Sequence, residues 1–155
     1  MTVSSSRYEK ASQGIAVDDE SGSKAIEMIR TSGHKIVSRK LIRDDEEMIR
    51  LEVLRSLYDE DADAVILTGG TGLAKRDLTS ETIMPLLDKE IEGFGEIFRA
   101  ISYKKIGPPS YLSRALAGTL NGKLIFCLPG SPKAVELALS LILPELSHMI
   151  YLLRM

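Results

Sequence analysis

The sequence is poor in several residue types, and each shortage excludes a class of protein. It has one cysteine, Cys127, so neither an internal disulfide nor a cysteine-based zinc cluster is available, and a reducing, cytoplasmic setting is expected. Tryptophan is absent, and aromatics make up 5% of the 155 residues. A basic excess is missing too: Lys+Arg number 20 against Asp+Glu 22, a formal charge of -2, where a duplex nucleic-acid binder carries a surplus of cations. A near-neutral total still permits a local cationic pocket for a small anion. No 18 consecutive apolar residues occur, so no membrane-spanning segment is expected. The polar start MTVSSSRYEK lacks the apolar centre of a signal peptide. Thr2–Val3 is short for a first core strand, which leads to the expectation that residues precede Met1. At 44% hydrophobic and 27% charged, the chain has the composition of one folded domain spanning residues 1–155.

Along the chain, Arg7–Asp18 reads as an exposed loop. The stretch from Asp19 or Ser21 to Gly33 reads as a helix, with Ile26 and Ile29 as an i, i+3 apolar pair. Lys35–Ile42 has the β-branched alternation of a strand, and Arg43-Asp44-Asp45 marks a turn. Ile49, Val53, Leu54 and Leu57 then stripe a helix over Glu46–Tyr58. Ala62–Leu67 is a continuous apolar run of the kind found inside a parallel sheet. It is followed by Thr68-Gly69-Gly70-Thr71-Gly72 and a helix over Leu78–Leu87. Gly93-Phe94-Gly95 reads as a break, Glu96–Tyr103 as helix, Gly107-Pro108-Pro109 as a loop and Ser110 onward as a short helix. Asn121-Gly122 between two apolar runs is a hairpin signal. Lys133–Tyr151 is an apolar final helix containing Pro144. Strands alternating with helices predict a three-layer α/β/α sandwich, with a mostly parallel sheet and one antiparallel hairpin.

In such a sheet, ligands sit at the carboxyl ends of the strands. The TGGTG loop occupies that position, and its glycines let backbone N–H groups face a phosphate. The plain alternative is a tight strand-to-helix turn. Neither common nucleotide loop is present: Gly118 to Gly122-Lys123-Leu124 fails the Walker spacing and lacks Ser or Thr. A dinucleotide fingerprint begun at Gly70-x-Gly72 would need glycine at Lys75. Lys75, Arg76 and Asp77 follow the loop, a set suited to phosphate oxygens and a Mg²⁺ ion. The alternative is a helix start with solvated cations. Asp44-Asp45 is either a second acidic contribution to the same edge or a helix N-cap. Ser131 at a helix start with Lys133 behind it offers a further anion site, and Ser113-Arg114 another cation. His34 and His148 lack metal-ligand spacing, Cys127 reads as an inert core thiol, and no Gly-x-Ser-x-Gly elbow is present. Tyr8 and Tyr111 are candidates to flank the crevice.

The segment VILTGGTGLAKRDLTSETIMPLLDKEIEGFGEIFR, followed by SRALAG and LPGSPKAV, resembles the MoaB/MogA family of molybdopterin-binding proteins, with the GFGE–IFR portion closer to the MoaB branch. DDESG and LIRDD also fit, so the resemblance covers nearly the whole chain. It implies the three-layer fold, a homotrimer or homohexamer, and a role in molybdenum cofactor biosynthesis, with other proteins of that pathway as partners. It further implies either adenylylation of molybdopterin with Mg²⁺ and ATP, releasing pyrophosphate, or molybdopterin binding without turnover. The family's catalytic and metal-binding acids map onto Asp44 (with Asp45 as the alternate) and Asp77. Thr68, Gly69, Gly70, Thr71 and Gly72 map onto the nucleotide or pterin phosphate site, and Ser113, Arg114, Ser131 and Lys133 onto its surroundings. Two departures stand out: the family's first strand is longer, and many members have Asp or Asn where this chain has Ser5.

Overall fold

A computed structural model describes residues Met1–Met155. In chain order the elements are β1 (Thr2–Val3), α1 (Ser5–Ser12), α2 (Glu20–Thr31), β2 (Leu41–Ile42), α3 (Glu46–Leu54), β3 (Ala64–Thr68), α4 (Thr79–Ile83), β4 (Lys89–Glu90), α5 (Glu92–Ile106), β5 (Leu116–Leu120), β6 (Lys123–Leu128) and α6 (Pro132–Leu153). A π turn over Arg55–Asp59 extends α3, and 3₁₀ turns cover Met84–Leu86 and Pro108–Leu112. The sheet order is β2-β1-β3-β6-β5-β4. β1 runs parallel to β2 and β3, and β3 runs parallel to β6. β5 is antiparallel to both neighbours, so it alone runs against the rest.

Strand alternation sorts the core into two layers. On β6, Leu124, Phe126 and Leu128 face a cluster with α5 and α6, including Phe94, Phe98, Val135, Leu139 and Ile142. Ile125 and Cys127 point the other way, toward Val65, Leu67, Ile49, Val53 and Ile83. The sandwich with helices on both faces is therefore as expected. α6 is long and apolar enough to cross a bilayer on length and composition alone. Here its stripe of Val135, Ala138, Leu139, Ile142 and Leu146 is buried in the core, and a core helix meets the same criterion.

Several local readings are corrected. Residues 5–12 form a helix that takes in the first half of the stretch expected to be loop, residues 7–12, because Ser4 caps it by accepting from the Arg7 N–H. Gly93 and Gly95 do not break α5. Gly95 is buried, and a Cβ there would come within 2.9 Å of the Ala115 carbonyl oxygen, so the missing side chain serves close packing. The hairpin is as expected, with Asn121 and Gly122 both at positive φ (47° and 75°), the geometry of a two-residue turn that suits strand twist. The strand expected over Lys35–Ile42 is paired only at Leu41–Ile42. Its neighbour β1 offers only Thr2 and Val3, so the preceding residues have strand sequence but no ladder.

Candidate functional site

The carboxyl ends of β1, β2, β3 and β6 meet at one edge, and the loops leaving them carry most of the residues singled out from sequence. β3 ends at Thr68, and the chain then turns through Gly69 and Gly70, at φ 103° and 65°. Only glycine occupies that region without strain. Space imposes the same choice: a Cβ on Gly69 would strike the Val3 carbonyl oxygen, and one on Gly70 would strike Thr79 Oγ1 and lie 2.7 Å from Asp44 Oδ2. The loop is pinned by Thr79, which is fully buried. Its Oγ1 donates to the Gly69 carbonyl at 2.9 Å, and its N–H to the Gly70 carbonyl at 3.0 Å. The place of Thr79 as the loop's anchor is not visible from sequence spacing.

The two acids after β2 divide the work. Asp45 caps α3, accepting from the Met48 N–H at 3.0 Å. Asp44 is thereby free to turn toward the glycine loop, where Oδ1 accepts from the Leu78 N–H at 3.0 Å. Its own N–H donates to Ser5 Oγ at 3.1 Å, so α1 reaches the site through the residue whose sequence departs from many family members. Burial raises the Asp44 pKa; the Leu78 N–H and Arg76 oppose this, while the Asp77 and Glu81 charges add to it. A half-buried carboxylate pushed up by burial, and further by neighbouring acids, is a ready seat for a cation.

Asp77 stands at the far side of the loop. Its Oδ2 accepts from the Ala74 N–H at 2.9 Å, and a Cβ on Gly72 would lie 2.5 Å from that same oxygen. The TGGTG segment therefore passes between two carboxylates, each close enough to exclude any side chain at the glycine it faces. Lys75 and Arg76, on the intervening turn, are exposed.

Arg114 is placed at the site but is not a free cation. Its Nε donates to the Thr71 carbonyl at 3.3 Å, and one terminal nitrogen donates to the carbonyls of Gly72 and Asp77. The other terminal nitrogen pairs with Glu81. Ser80 Oγ closes the arrangement by donating to the Arg114 carbonyl at 3.1 Å. The guanidinium thus gathers loop carbonyls to one side, and peptide planarity turns the attached N–H groups of Gly72, Leu73 and Leu78 the other way. Ser113 lies beside it and accepts from the Ala115 N–H at 3.3 Å.

The β6 loop joins through backbone contact: a Cβ on Gly130 would lie 3.3 Å from Gly69 Cα, so the two loops touch. Ser131 caps α6, accepting from the Ala134 N–H at 3.3 Å, and is exposed. Lys133 is exposed in the first turn of α6. It lines a shallow polar groove between α2 and α6 with Glu20, Glu27 and Glu136. Thr68 is buried, and its Oγ1 has no hydrogen-bond partner. Tyr8 lies under the Arg43 guanidinium, 6.0 Å from ring centroid to carbon, and Tyr111 is exposed.

The family described as "Probable molybdopterin binding domain" matches residues 1–148. The chain belongs to the molybdopterin-binding domain family. Molybdenum cofactor biosynthesis protein B of Bacillus cereus is 46% identical over 153 residues, which cover 97% of this chain and 86% of that protein. A crystal structure of molybdenum cofactor biosynthesis protein B superposes with a TM-score of 0.89 at 46% identity, covering 99% of this chain and 92% of that one. A MogA structure superposes at 0.83 with 30% identity, covering 98% and 95%. Within the family, this molybdopterin-binding domain is thus similar to both named branches and shares more sequence with the MoaB side.

Proposed function

We propose that the chain is a MoaB-type protein of molybdenum cofactor biosynthesis that binds molybdopterin by its phosphate at this edge and adenylylates it with ATP. In that reaction an oxygen of the molybdopterin phosphate attacks the α-phosphorus of ATP. The bond to the β-phosphate oxygen breaks, and pyrophosphate leaves with the electron pair. The observation that carries the reading is the glycine loop threaded between Asp44 and Asp77, with its carbonyls drawn aside by Arg114.

The residues fit a Mg²⁺ ion held as these ions usually are, by one or two carboxylates with phosphate oxygens and water. No cluster of three or more potential side-chain ligands is present, so Asp44 and Asp77 would hold the ion only together with substrate. When bound there, Mg²⁺ supplies charge neutralisation at the reacting phosphates. The chain's own contribution is positioning and fixed dipoles: N–H groups of residues 70–73 for phosphate oxygens, Thr79 and Arg114 to keep the loop rigid, and Ser131 at the start of α6 for a second anionic group. Exposed Lys75 and Arg76 draw the polyanionic substrates in.

A molybdopterin carrier without turnover uses the same phosphate cradle, and one experiment separates the two readings. The protein is incubated with molybdopterin, Mg²⁺ and ATP while adenylylated pterin and pyrophosphate are followed. Adenylyl transfer is expected for the parent protein, with pterin binding but no transfer for Asp77→Ala. Binding without product in the parent leaves the carrier; absence of binding removes both. The assembly proposed with this function is a homotrimer or homohexamer in the cytoplasm. It rests on the exposed Ile97, Tyr103 and Ile106 of α5 with nearby Tyr111, and a monomer in light scattering would refute it.

A further inference from the structure

The first turn of α4 sets Thr79, Ser80 and Glu81 in succession against the glycine loop and its brace. Thr79 holds the carbonyls of Gly69 and Gly70, and Ser80 Oγ donates to the Arg114 carbonyl. Glu81 reaches the Arg114 guanidinium and is the one carboxylate paired with it. In sequence Glu81 looks like any acid in a helix's first turn, where the positive dipole end favours one. In the fold it has a specific partner. The bond from Arg114 holds its carboxyl below the ordinary glutamate value, and burial opposes this, so the pair is an ionic one.

What Glu81 does follows from what Arg114 would do without it. The other partners of the guanidinium are the neutral carbonyls of Thr71, Gly72 and Asp77. Its side chain is 30% exposed, and a cation so far out of water needs an opposite charge beside it. Two more carboxylates border the same loop. Arg114 touches the Asp77 backbone at 3.2 Å, yet the Asp77 carboxylate accepts from the Ala74 N–H instead. Asp44 accepts from the N–H of Leu78, the next residue along. Neither aspartate takes part in an ion pair. An arginine fork suits an aspartate as well as a glutamate, so the choice of Glu81 leaves both loop-flanking acids without a protein cation.

We propose that Glu81 is a positioning residue: by pairing with Arg114 on the carbonyl side of the loop, it keeps Asp44 and Asp77 free for a divalent cation that arrives with phosphate. This rests on the proposed Mg²⁺ seat and adds the residue that keeps the seat open. Once the Glu81 charge is gone, the guanidinium and the ion compete for the same carboxylate oxygens, and the brace becomes a competitor. Glu81 touches neither ion nor substrate in this role and acts only through Arg114.

ATP affinity measured by calorimetry with and without Mn²⁺ tests the proposal, because the ratio of the two isolates what the ion contributes whatever happens to ATP itself. In the parent the ion is expected to strengthen binding about tenfold or more. Glu81→Gln keeps the shape of the side chain and removes its charge, and the ratio is expected to fall to about two or less. Adding Arg114→Gln takes away the competing cation and should bring the ratio back to within about threefold of the parent. Arg76→Gln, added to Glu81→Gln instead, makes the same change in net charge on the neighbouring turn and should restore nothing. Glu81→Asp keeps the charge but draws it back by one methylene; a reduced ratio is expected there too, which covers a Gln variant that fails to fold. A Glu81→Gln, Arg114→Gln double variant as weak as Glu81→Gln overturns the proposal. So does equal recovery from Arg76→Gln, or a parent in which Mn²⁺ adds nothing. A parent with the full ion effect but no adenylyl transfer loses the proposed reaction and leaves Glu81 in its role.

Discussion

Replacing Gly70 and Gly93 each by alanine makes one chemical change at two glycines that the structure treats oppositely. At Gly70, φ is +65°, and a non-glycine residue in the left-handed region costs about 1–2 kcal/mol. The added Cβ would also meet Thr79 Oγ1 and, at 2.7 Å, Asp44 Oδ2. Relief requires moving either the Thr79 bond to Gly69 or the Asp44 bond to Leu78, at a further cost of roughly 1–2 kcal/mol. A total near 3 kcal/mol in a domain of this size lowers the melting temperature by about 6–12 °C. At Gly93, inside α5, a Cβ meets nothing within 4 Å, and the ordinary helix preference of alanine adds about 0.5–1 kcal/mol of stability, or about 1–4 °C. Thermal unfolding by circular dichroism at matched concentration reads both. Gly70→Ala melting within about 2 °C of the parent would refute the assigned loop packing, and with it the claim that Asp44 and Thr79 fix the shape of the glycine loop.

Further outcomes follow from the same geometry. Arg114→Lys should bind molybdopterin less tightly and lose about 2 kcal/mol of stability, since one ammonium cannot serve three carbonyls and Glu81 together; calorimetric titration and melting check both. The raised Asp44 pKa means that the folded protein keeps a proton there that the unfolded chain has released. Stability should therefore fall as pH rises from the ordinary aspartate value to the raised one and remain lower above it. Asp44→Asn keeps an acceptor for Leu78, so it should melt higher than the parent at neutral pH, lose that pH slope and fail in adenylyl transfer; a lower melting point would contradict the assignment. Asp19 behaves oppositely. Burial pushes its pKa up but is outweighed by bonds from Thr2, Arg39 and the Gly22 N–H, so its contribution should fade as pH falls through its lowered folded value, and Asp19→Asn should flatten the acid limb of the stability profile. Cys127 is fully buried, and burial drives its thiol pKa upward; a thiol reagent should label it only on unfolding, and rapid labelling of the native protein would show the core to be open.

The layer order and the edge where the candidate site's loops meet were legible because they rest on long signals: the apolar run through Leu67, the Asn121-Gly122 turn and the α6 stripe. Local errors arose where a tertiary neighbour decided the outcome. Gly95 looks like a breaker until the Ala115 carbonyl is seen against it, and residues 35–40 look like a strand although little lies beside them to pair with. At the site, residue types and positions were readable, but the division of labour was not. Two adjacent aspartates have the same sequence signature; only the cap at Met48 releases Asp44. Arg114 is a cation in sequence and a brace for carbonyls in three dimensions. Lys133 is a cation behind the PGSP turn in sequence, and in three dimensions it shares a groove with the acids of α2 and α6.

The contact between Gly69 and Gly130 sets what a ligand at this edge reports. The two residues lie far apart in sequence and meet only when β3 and β6 are paired, and Asp44 reaches them only through β2 and β1. No subset of the chain contains the site, so a ligand seated there has nothing to bind until the parallel half of the sheet is closed. Its binding energy is then coupled to unfolding of that whole half: at one hundred times the dissociation constant it adds about 2.7 kcal/mol, and that protection should appear at amides throughout β3 and β6 as well as in the loops that touch it.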